Sequence, residues 1–403
     1  MGRVLRRVQV LVKRSIPRAS RQAYHWDART ALLTGAYTGA VFPFLGRIAR
    51  GDLHATELEI SFLAAAPFVG NLLSPLWARQ MEGRAKMPFV VWSWTLARGL
   101  LLLMALATRS LPFVMIAVAT MFIGTVATPA YTSIMKEVYP DRSRGRLMGS
   151  IRMGLQAMTL VSTLIVGRLL DLTSYRVVFP IAGLVGIVAA FAFSRIVTHP
   201  AETDGTKVSV LSTLSILRDD ANYRWFGLSV FIYGFGNLMA VPVYTIFQVD
   251  TLHITNTQVA NLANVSSAVM ILAYIFWGAY LDRHGPLQGV AAAVLVGALV
   301  PLVYLFAHDV RTLYLMAIAM GVTNAGIDLS YINSILVFAD ERRIAQYQSL
   351  HSALLGVRGI IGPFAGAALM QAAGVQAVFV VSLVMILAGF LLQTLGVKAR
   401  YSA

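Results

Sequence analysis

Twelve long apolar stretches, divided six and six by a polar segment at residues 198–221, constrain this chain more than any other feature. They run over 29–47, 57–78, 87–107, 111–134, 147–170, 176–197, 222–247, 257–281, 287–307, 311–337, 346–371 and 375–396. About 20 apolar residues in a helix cross the hydrocarbon core of a bilayer. Hydrocarbon offers backbone N–H and C=O groups no partner, so each stretch must satisfy its own, and a helix does that within one segment. The expected fold is an all-α membrane protein of twelve transmembrane helices. Residues 27–197 form an N-terminal six-helix bundle, 198–221 a cytoplasmic linker, 222–397 a C-terminal six-helix bundle and 398–403 a cytoplasmic tail.

Composition excludes several function classes. Hydrophobic residues make up 57% and charged residues 13%, about half the charged share of a soluble protein. The absence of cysteine excludes disulfides, thiol catalysis and zinc–thiolate sites. The seven histidines are scattered, with no His-x-x-x-His pair, so no metal site is expected. No phosphate-binding Gly-x-x-x-x-Gly-Lys-[Ser/Thr] loop is present, which argues against a nucleotide-driven pump, and no cofactor is expected. The spans hold no paired carboxylates, Ser–His pair or His/Asp cluster, so an intramembrane enzyme is not expected.

The net charge of +15 suggests nucleic acid until its positions are read. Basic residues precede the first span (Arg3, Arg6, Arg7, Lys13, Arg14, Arg18, Arg21). They recur after the second (Arg79, Arg84, Lys86), the fourth (Lys136, Arg142, Arg144, Arg146), the eighth (Arg283) and the tenth (Arg342, Arg343). The intervening loops carry fewer: Arg50, Arg109, Arg176 and Arg311. That alternation is the positive-inside pattern, and it expects both termini in the cytoplasm and a cell-membrane location. No compact basic domain exists to bind nucleic acid. Residues 1–26 read as a basic amphipathic segment, with Val4, Leu5, Val8, Leu11 and Val12 on one side of a helix. Such a segment lies on the anionic inner leaflet, or serves only to set topology.

The halves read as repeats. Tyr139-Pro140-Asp141-Arg142-Ser143-Arg144 after span 4 stands opposite Phe338-Ala339-Asp340-Glu341-Arg342-Arg343 after span 10. Gly278-Ala279-Tyr280-Leu281-Asp282-Arg283-His284-Gly285-Pro286 resembles the Gly-x-x-x-Asp-Arg-x-Gly signature of the major facilitator superfamily, in its second-half copy. Pro140 to Gly149 is similar to that superfamily's loop between helices 4 and 5, and Gly356 to Gly366 to its Gly/Pro-rich helix 11. The resemblance covers residues from about 25 to 397. It implies two six-helix bundles related by a pseudo-two-fold axis, with a ligand site between them. The first-half signature is degraded: Ser74 replaces its Gly, Ala78 stands where its Asp should be, and Glu82 is the substitute for a charged latch beside Arg79. A Gly-Pro motif found in helix 5 of drug/proton antiporters of the superfamily is absent.

Under this resemblance Gly278, Asp282, Arg283, Arg79 and Arg144 form the gating motif, with Asp282 and Arg283 in a loop. Their ion pairs form in one orientation and break in the other. Helices 1, 4, 7 and 10 are implied to line the central cavity. Asp328 in span 10 falls on that path, as a proton carrier or cation partner, or in a structural salt bridge with Arg358 or another basic residue. Ionisable groups at membrane depth cost at least about 2.5–3.5 kcal/mol and so have a function or a partner. Arg152 and Arg358 offer forked donors to an anionic substrate, or are held by Asp328, Glu57, Glu59 or carbonyl groups, and Tyr37, Tyr131, Tyr233 and Asn237 are polar groups on the implied cavity helices. Arg98 in span 3 reads as structural. Thr56 resembles an N-cap, with Glu57 and Glu59 favouring the helix dipole. Pro43, Pro129, Gly234, Gly236 and Pro242 read as sites of bending or packing.

The expected function is a secondary active transporter that moves a small organic solute, anionic or amphiphilic by slight preference, by proton-coupled alternating access. Its partners are that solute, a proton and membrane lipids, and a monomer is expected. The alternatives are a multidrug/proton antiporter for lipophilic cations, a sugar or metabolite uptake carrier, and, more remotely, a non-coupled receptor or lipid scramblase.

Overall fold

The computed structural model describes residues 16–81, 83–198, 215–339 and 343–396. Most of the expected interfacial segment, most of the linker, Glu82, residues 340–342 and the C-terminal tail lie outside the described residues. Twelve long helical segments follow one another: α1 (Arg21–Val41), α2 (Glu57–Leu72), α3 (Lys86–Ala105), α4 (Ser110–Val138), α5 (Asp141–Leu172), α6 (Tyr175–Phe193), α7 (Ala221–Asp250), α8 (Asn256–His284), α9 (Pro286–Leu305), α10 (Leu313–Phe338), α11 (Ile344–Ala373) and α12 (Val375–Gly396). Ten of them are long and apolar enough to cross a membrane. The other two are α1, which carries Asp27 and Arg29, and α2, which stops after 16 residues and resumes as Ser74–Gln80.

Proline explains where the spans are interrupted. A proline cannot donate to the carbonyl four residues before it, and its ring crowds that carbonyl. The path breaks at Leu73 before Pro75, at Val126 before Pro129 and at Ala298 before Pro301. After Val41, Pro43 turns the chain into a 3-10 turn at Phe42–Phe44, and the span closes in a π-turn at Ile48–Asp52. Pro67, Pro180, Pro242 and Pro363 lie within continuous helices. Gly234 and Gly236 pack α7 against Arg358 of α11 and Met385 of α12, and the helix runs unbroken through them.

Two expected loops are helix. Asp282 and Arg283 occupy the last turn of α8, where a basic side chain complements the exposed carbonyl ends, and not a loop. Asp141 to Arg146 form the first turns of α5 behind Pro140, so α5 begins six residues before the apolar stretch. The whole α8–α9 connection is Gly285, at φ +80°, a conformation that costs glycine nothing and most residues dearly. That requirement accounts for the last glycine of the signature.

The two halves repeat in detail. After α1 and after α7 the chain makes the same turn. Leu53 N–H donates to Ile48 and Ala55 N–H to Ala49, while Leu252 donates to Phe247 and Ile254 to Gln248. In both turns a histidine, His54 and His253, takes a left-handed φ. A capping box then opens the next helix, Thr56 with Glu59 at α2 and Thr255 with Gln258 at α8. Helix pairing repeats as well. A Cβ at Gly35 or Gly39 of α1 would overlap the backbone of α5, and one at Gly366 of α11 that of α7. One at Gly70 of α2 would overlap Thr125 of α4, and one at Gly321 of α10 the backbone of α8. Small residues let membrane helices approach closely where no hydrophobic force drives them together.

The six-helix groups meet along α5 with α8 and α2 with α11. Cross-group bonds cluster at the end carrying the α1–α2 and α7–α8 turns, the distal end. Asp171 of α5 accepts from the backbone N–H of Asn256 (2.9 Å) and of Thr257 (3.0 Å) at the start of α8. Arg50 donates through Nε to both oxygens of Asp250 at 3.0 Å, and these bonds hold its guanidinium above its usual pKa. Deeper in, Asn264 donates to the Leu160 carbonyl and Ser61 to that of Pro363.

Candidate functional site

Exposure inside a bundle locates the cleft. On α10, Asn324 and Asp328 are exposed one turn apart, while the exposed Leu315, Ile318 and Leu336 stand on a separate face. An apolar face of this kind suits lipid, and the polar one suits an aqueous cleft. On α5, Thr159, Ser162 and Thr163 bond α1, and Leu160 and Gly167 meet α8. Arg152 is exposed on the strip between those two contacts, away from the lipid face of Val161, Leu164 and Ile165. Its charge reaches Tyr131 of α4 in one bundle and Tyr274 of α8 in the other. Tyr274 donates its hydroxyl to Asp328 at 2.9 Å. An exposed guanidinium from the first half and an exposed carboxylate from the second thus share a neighbour in Tyr274, which the sequence reading did not single out.

The remaining expected site residues separate from this pair. Arg358 is 4% exposed. It donates to the Val230 carbonyl and packs onto Gly234, where a Cβ would overlap the guanidinium. It makes no ion pair with Asp328 among the described residues, so that structural salt bridge is not formed. Tyr233 is buried against Gly297 and Gly389, inside the C-terminal group. His351, which sequence reasoning passed over, is buried near Arg358 with its ring against Tyr331 at 4.8 Å. Its signal was a histidine within an apolar span. Tyr131 leans on Trp94 and Phe193, and Asn237 is half-buried on α7.

Tyr37 is buried in the N-terminal group, its ring 5.2 Å from the Arg98 guanidinium. Both line a cavity of about 360 Å³ between α1, α2, α3 and α4. Of the gating motif, Arg79, Asp282 and Arg283 are exposed. Arg144 donates to the Lys136 and Tyr139 carbonyls, closing the α4–α5 turn. A Cβ at Gly278 would meet nothing within 4 Å. Among the described residues no cluster of three His, Asp or Glu side chains could hold a metal.

Comparison with known proteins places the whole chain. The Major Facilitator Superfamily model matches residues 30–227 and 226–401. The multidrug resistance protein MdtG of Dickeya zeae (strain Ech586) is 23% identical over 87% of this chain and 88% of its own length. The protein of the same name from Klebsiella pneumoniae (strain 342) is 22% identical, covering 91% of each. Among solved structures, a mutant form of the nucleoside transporter NupG superposes with TM-score 0.76 at 13% identity, over 92% of this chain and 98% of that one. A bacterial homologue of the human lysosomal transporter Spinster, inward-facing and occupied, gives TM-score 0.69 at 14% identity, over 93% and 96%. With twelve helical segments in two repeated halves and a family match in each half, this chain is a multi-pass membrane protein that belongs to the Major Facilitator Superfamily.

Proposed function

We propose that this transporter is secondary active and moves a small organic solute across the cell membrane by proton-coupled alternating access. The single observation that carries the reading is the exposure of Arg152 on α5 and Asp328 on α10, with Tyr274 of α8 bonded to the carboxylate. The positive-inside pattern supports a distal end outside and both termini in the cytoplasm. The structure is then inward-facing, closed outside by Asp171 and Arg50. Asp328 is the residue assigned to the proton: with a proton bound it does not repel an anionic solute held by Arg152, and once the proton leaves it does, which couples the two. Arg152, always charged, supplies the fixed donor fork. Arg358, spent on packing, has no part in this cycle.

A second reading has its own support. The relatives at 22–23% identity bear the name multidrug resistance protein, and an exposed carboxylate at membrane depth suits a lipophilic cation. Export of such cations against protons is therefore the alternative.

A thermal-shift panel of organic acids, lipophilic cations, sugars and lysolipids on purified protein separates the two. Stabilisation by organic acids, lost in Arg152→Gln, supports the anion reading, and stabilisation by cations, lost in Asp328→Asn, supports the second. In proteoliposomes, Asp328→Asn is expected to lower proton-driven flux about tenfold or more while leaving the melting temperature in place. Wild-type flux in that variant removes Asp328 from coupling.

A further inference from the structure

We infer that the cavity beside Arg98 is a binding subsite for a planar apolar organic anion, with the Arg98 guanidinium as the anchor for its carboxylate. The inference deepens the transport reading and rests on it in calling the occupant a substrate.

Arg98 is 4% exposed in the middle of α3. Its side chain lies along α6, where a Cβ at Gly183 or Gly186 would collide with it or with its backbone, so the stem is held in one place. A guanidinium has five N–H donors. Two are engaged, Nη1 with the Gly186 carbonyl at 2.6 Å and Nη2 with the Thr34 hydroxyl at a long 3.4 Å. The rings of Trp94 and Tyr37 lie 4.5 and 5.2 Å from its central carbon. Those faces attract a cation but do not neutralise it. No carboxylate pairs with Arg98 among the described residues, so a buried positive charge is left without a counter-ion at membrane depth, where that is expensive.

The adjoining cavity, about 360 Å³, is within the range of small-molecule sites. Its walls are mainly apolar and aromatic, with Phe42, Trp94 and Met121 among them. Thr120 also lines the cavity; it is 3% exposed, and its buried hydroxyl has no hydrogen-bond partner. An orphan hydroxyl and an under-used guanidinium beside an apolar slot together match a flat hydrocarbon body ending in a carboxylate. The carboxylate accepts from the guanidinium donors that Gly186 and Thr34 leave free. A cationic ligand is disfavoured, because Arg98 already occupies the ring faces and repels a second positive charge.

The test is calorimetric titration of the purified full chain with naphthoate, naphthylmethanol and naphthylmethylammonium, three ligands of one shape and different charge. Naphthoate is expected to bind at least about tenfold more tightly than the alcohol, and the ammonium most weakly. Arg98→Gln should erase that preference and Arg98→Lys should restore part of it. Thr128→Trp, at an exposed wall position, should abolish binding of all three without touching Arg98, and it carries the test if Arg98→Gln does not fold. Equal affinity for acid and alcohol overturns the inference. So does naphthoate affinity that is lost in Arg152→Gln and kept in Arg98→Gln. The expected binding profile in a protein without proton-driven flux upholds the subsite and sinks the transport reading; flux of another solute without naphthoate binding does the reverse.

Discussion

Charged residues at membrane depth are the most legible letters in a chain of this kind, yet the sequence shows only that they need partners. Four arginines and aspartates stood out within the spans, and packing sorted them. Asp328 and Arg152 reach the cleft, because one helix face holds each clear of lipid. Arg358 is absorbed by α7, because Gly234 leaves room for its guanidinium and the Val230 carbonyl accepts from it. Arg98, read as structural from its place on α3, turns out to border a cavity, a fact that depends on Gly183 and Gly186 of another helix. Nothing in the local sequence of α3 carries that information. The fit at Gly234 gives a prediction at this scale. Gly234→Ala puts a methyl group where the Arg358 guanidinium lies, and overpacking of this kind costs about 1–3 kcal/mol. A clear fall in melting temperature is expected, and the double variant Gly234→Ala with Arg358→Met should recover much of it. A single variant as stable as the wild type would mean that Arg358 can leave its seat at little cost, and its role in packing would have to be given up.

At the scale of helices, hydropathy located all twelve helical segments, ten of them long and apolar enough to span, because bilayer thickness imposes their length whatever they pack against. Their ends were less legible. Charged residues after a span read as loop, but α5 and α8 extend through Asp141–Arg146 and Asp282–His284, since an amphiphilic end continues its helix into the interface without losing backbone bonds. The repeated distal turn also escaped notice, because its two capping boxes use different residues, Glu59 and Gln258. The start of α8 is capped twice, once by Thr255 of its own chain segment and once by Asp171 from the other bundle. An N-cap acceptor contributes about 1 kcal/mol, whereas a half-exposed ion pair such as Arg50–Asp250 contributes about 0–1 kcal/mol. Asp171 is therefore the stronger part of the distal closure. The chain lacks cysteine, so one introduced thiol reports without background. Thr245→Cys, pressed against Gly46 of the other bundle, should label slowly from the distal side. Adding Asp171→Ala should raise that labelling about fivefold, the equilibrium shift that 1 kcal/mol produces, and adding Asp250→Asn should raise it less. The opposite ranking would show that the ion pair, and not the helix cap, holds the distal end shut.

For the whole molecule, the distribution of glycine contacts implies a second conformer. Several distal and mid-depth glycines at helix contacts are pressed against neighbours: Gly46 on Thr245, Gly167 on Ala260, Gly321 on α8. Gly145 and Gly149 of α5 and Gly278 of α8 have nothing within 4 Å of a Cβ position. Glycine inside a helix costs about 0.5–1 kcal/mol relative to alanine, and here no contact in this conformer offsets it. The antiparallel register of α5 and α8 suggests the missing contact. Leu170 meets Asn256, Gly167 meets Ala260 and Leu160 meets Asn264. Carried toward the proximal end, the same register sets Arg152 opposite Tyr274 and Gly149 opposite Gly278. The two helices are thus shaped to zip together proximally when they part distally, a rocking motion about the middle of the pair. If α5 and α8 close proximally in this register, Arg152 is expected to meet Tyr274, whose hydroxyl already bonds Asp328. The pair Gly149→Cys and Gly278→Cys should cross-link with a short bifunctional reagent during turnover, blocking flux until the link is cleaved. The pair Gly167→Cys and Ala260→Cys should cross-link without turnover. If the proximal pair never links under conditions of measurable flux while the distal pair does, α5 and α8 do not close in this register, and the alternate conformer must be built on α2 and α11 instead.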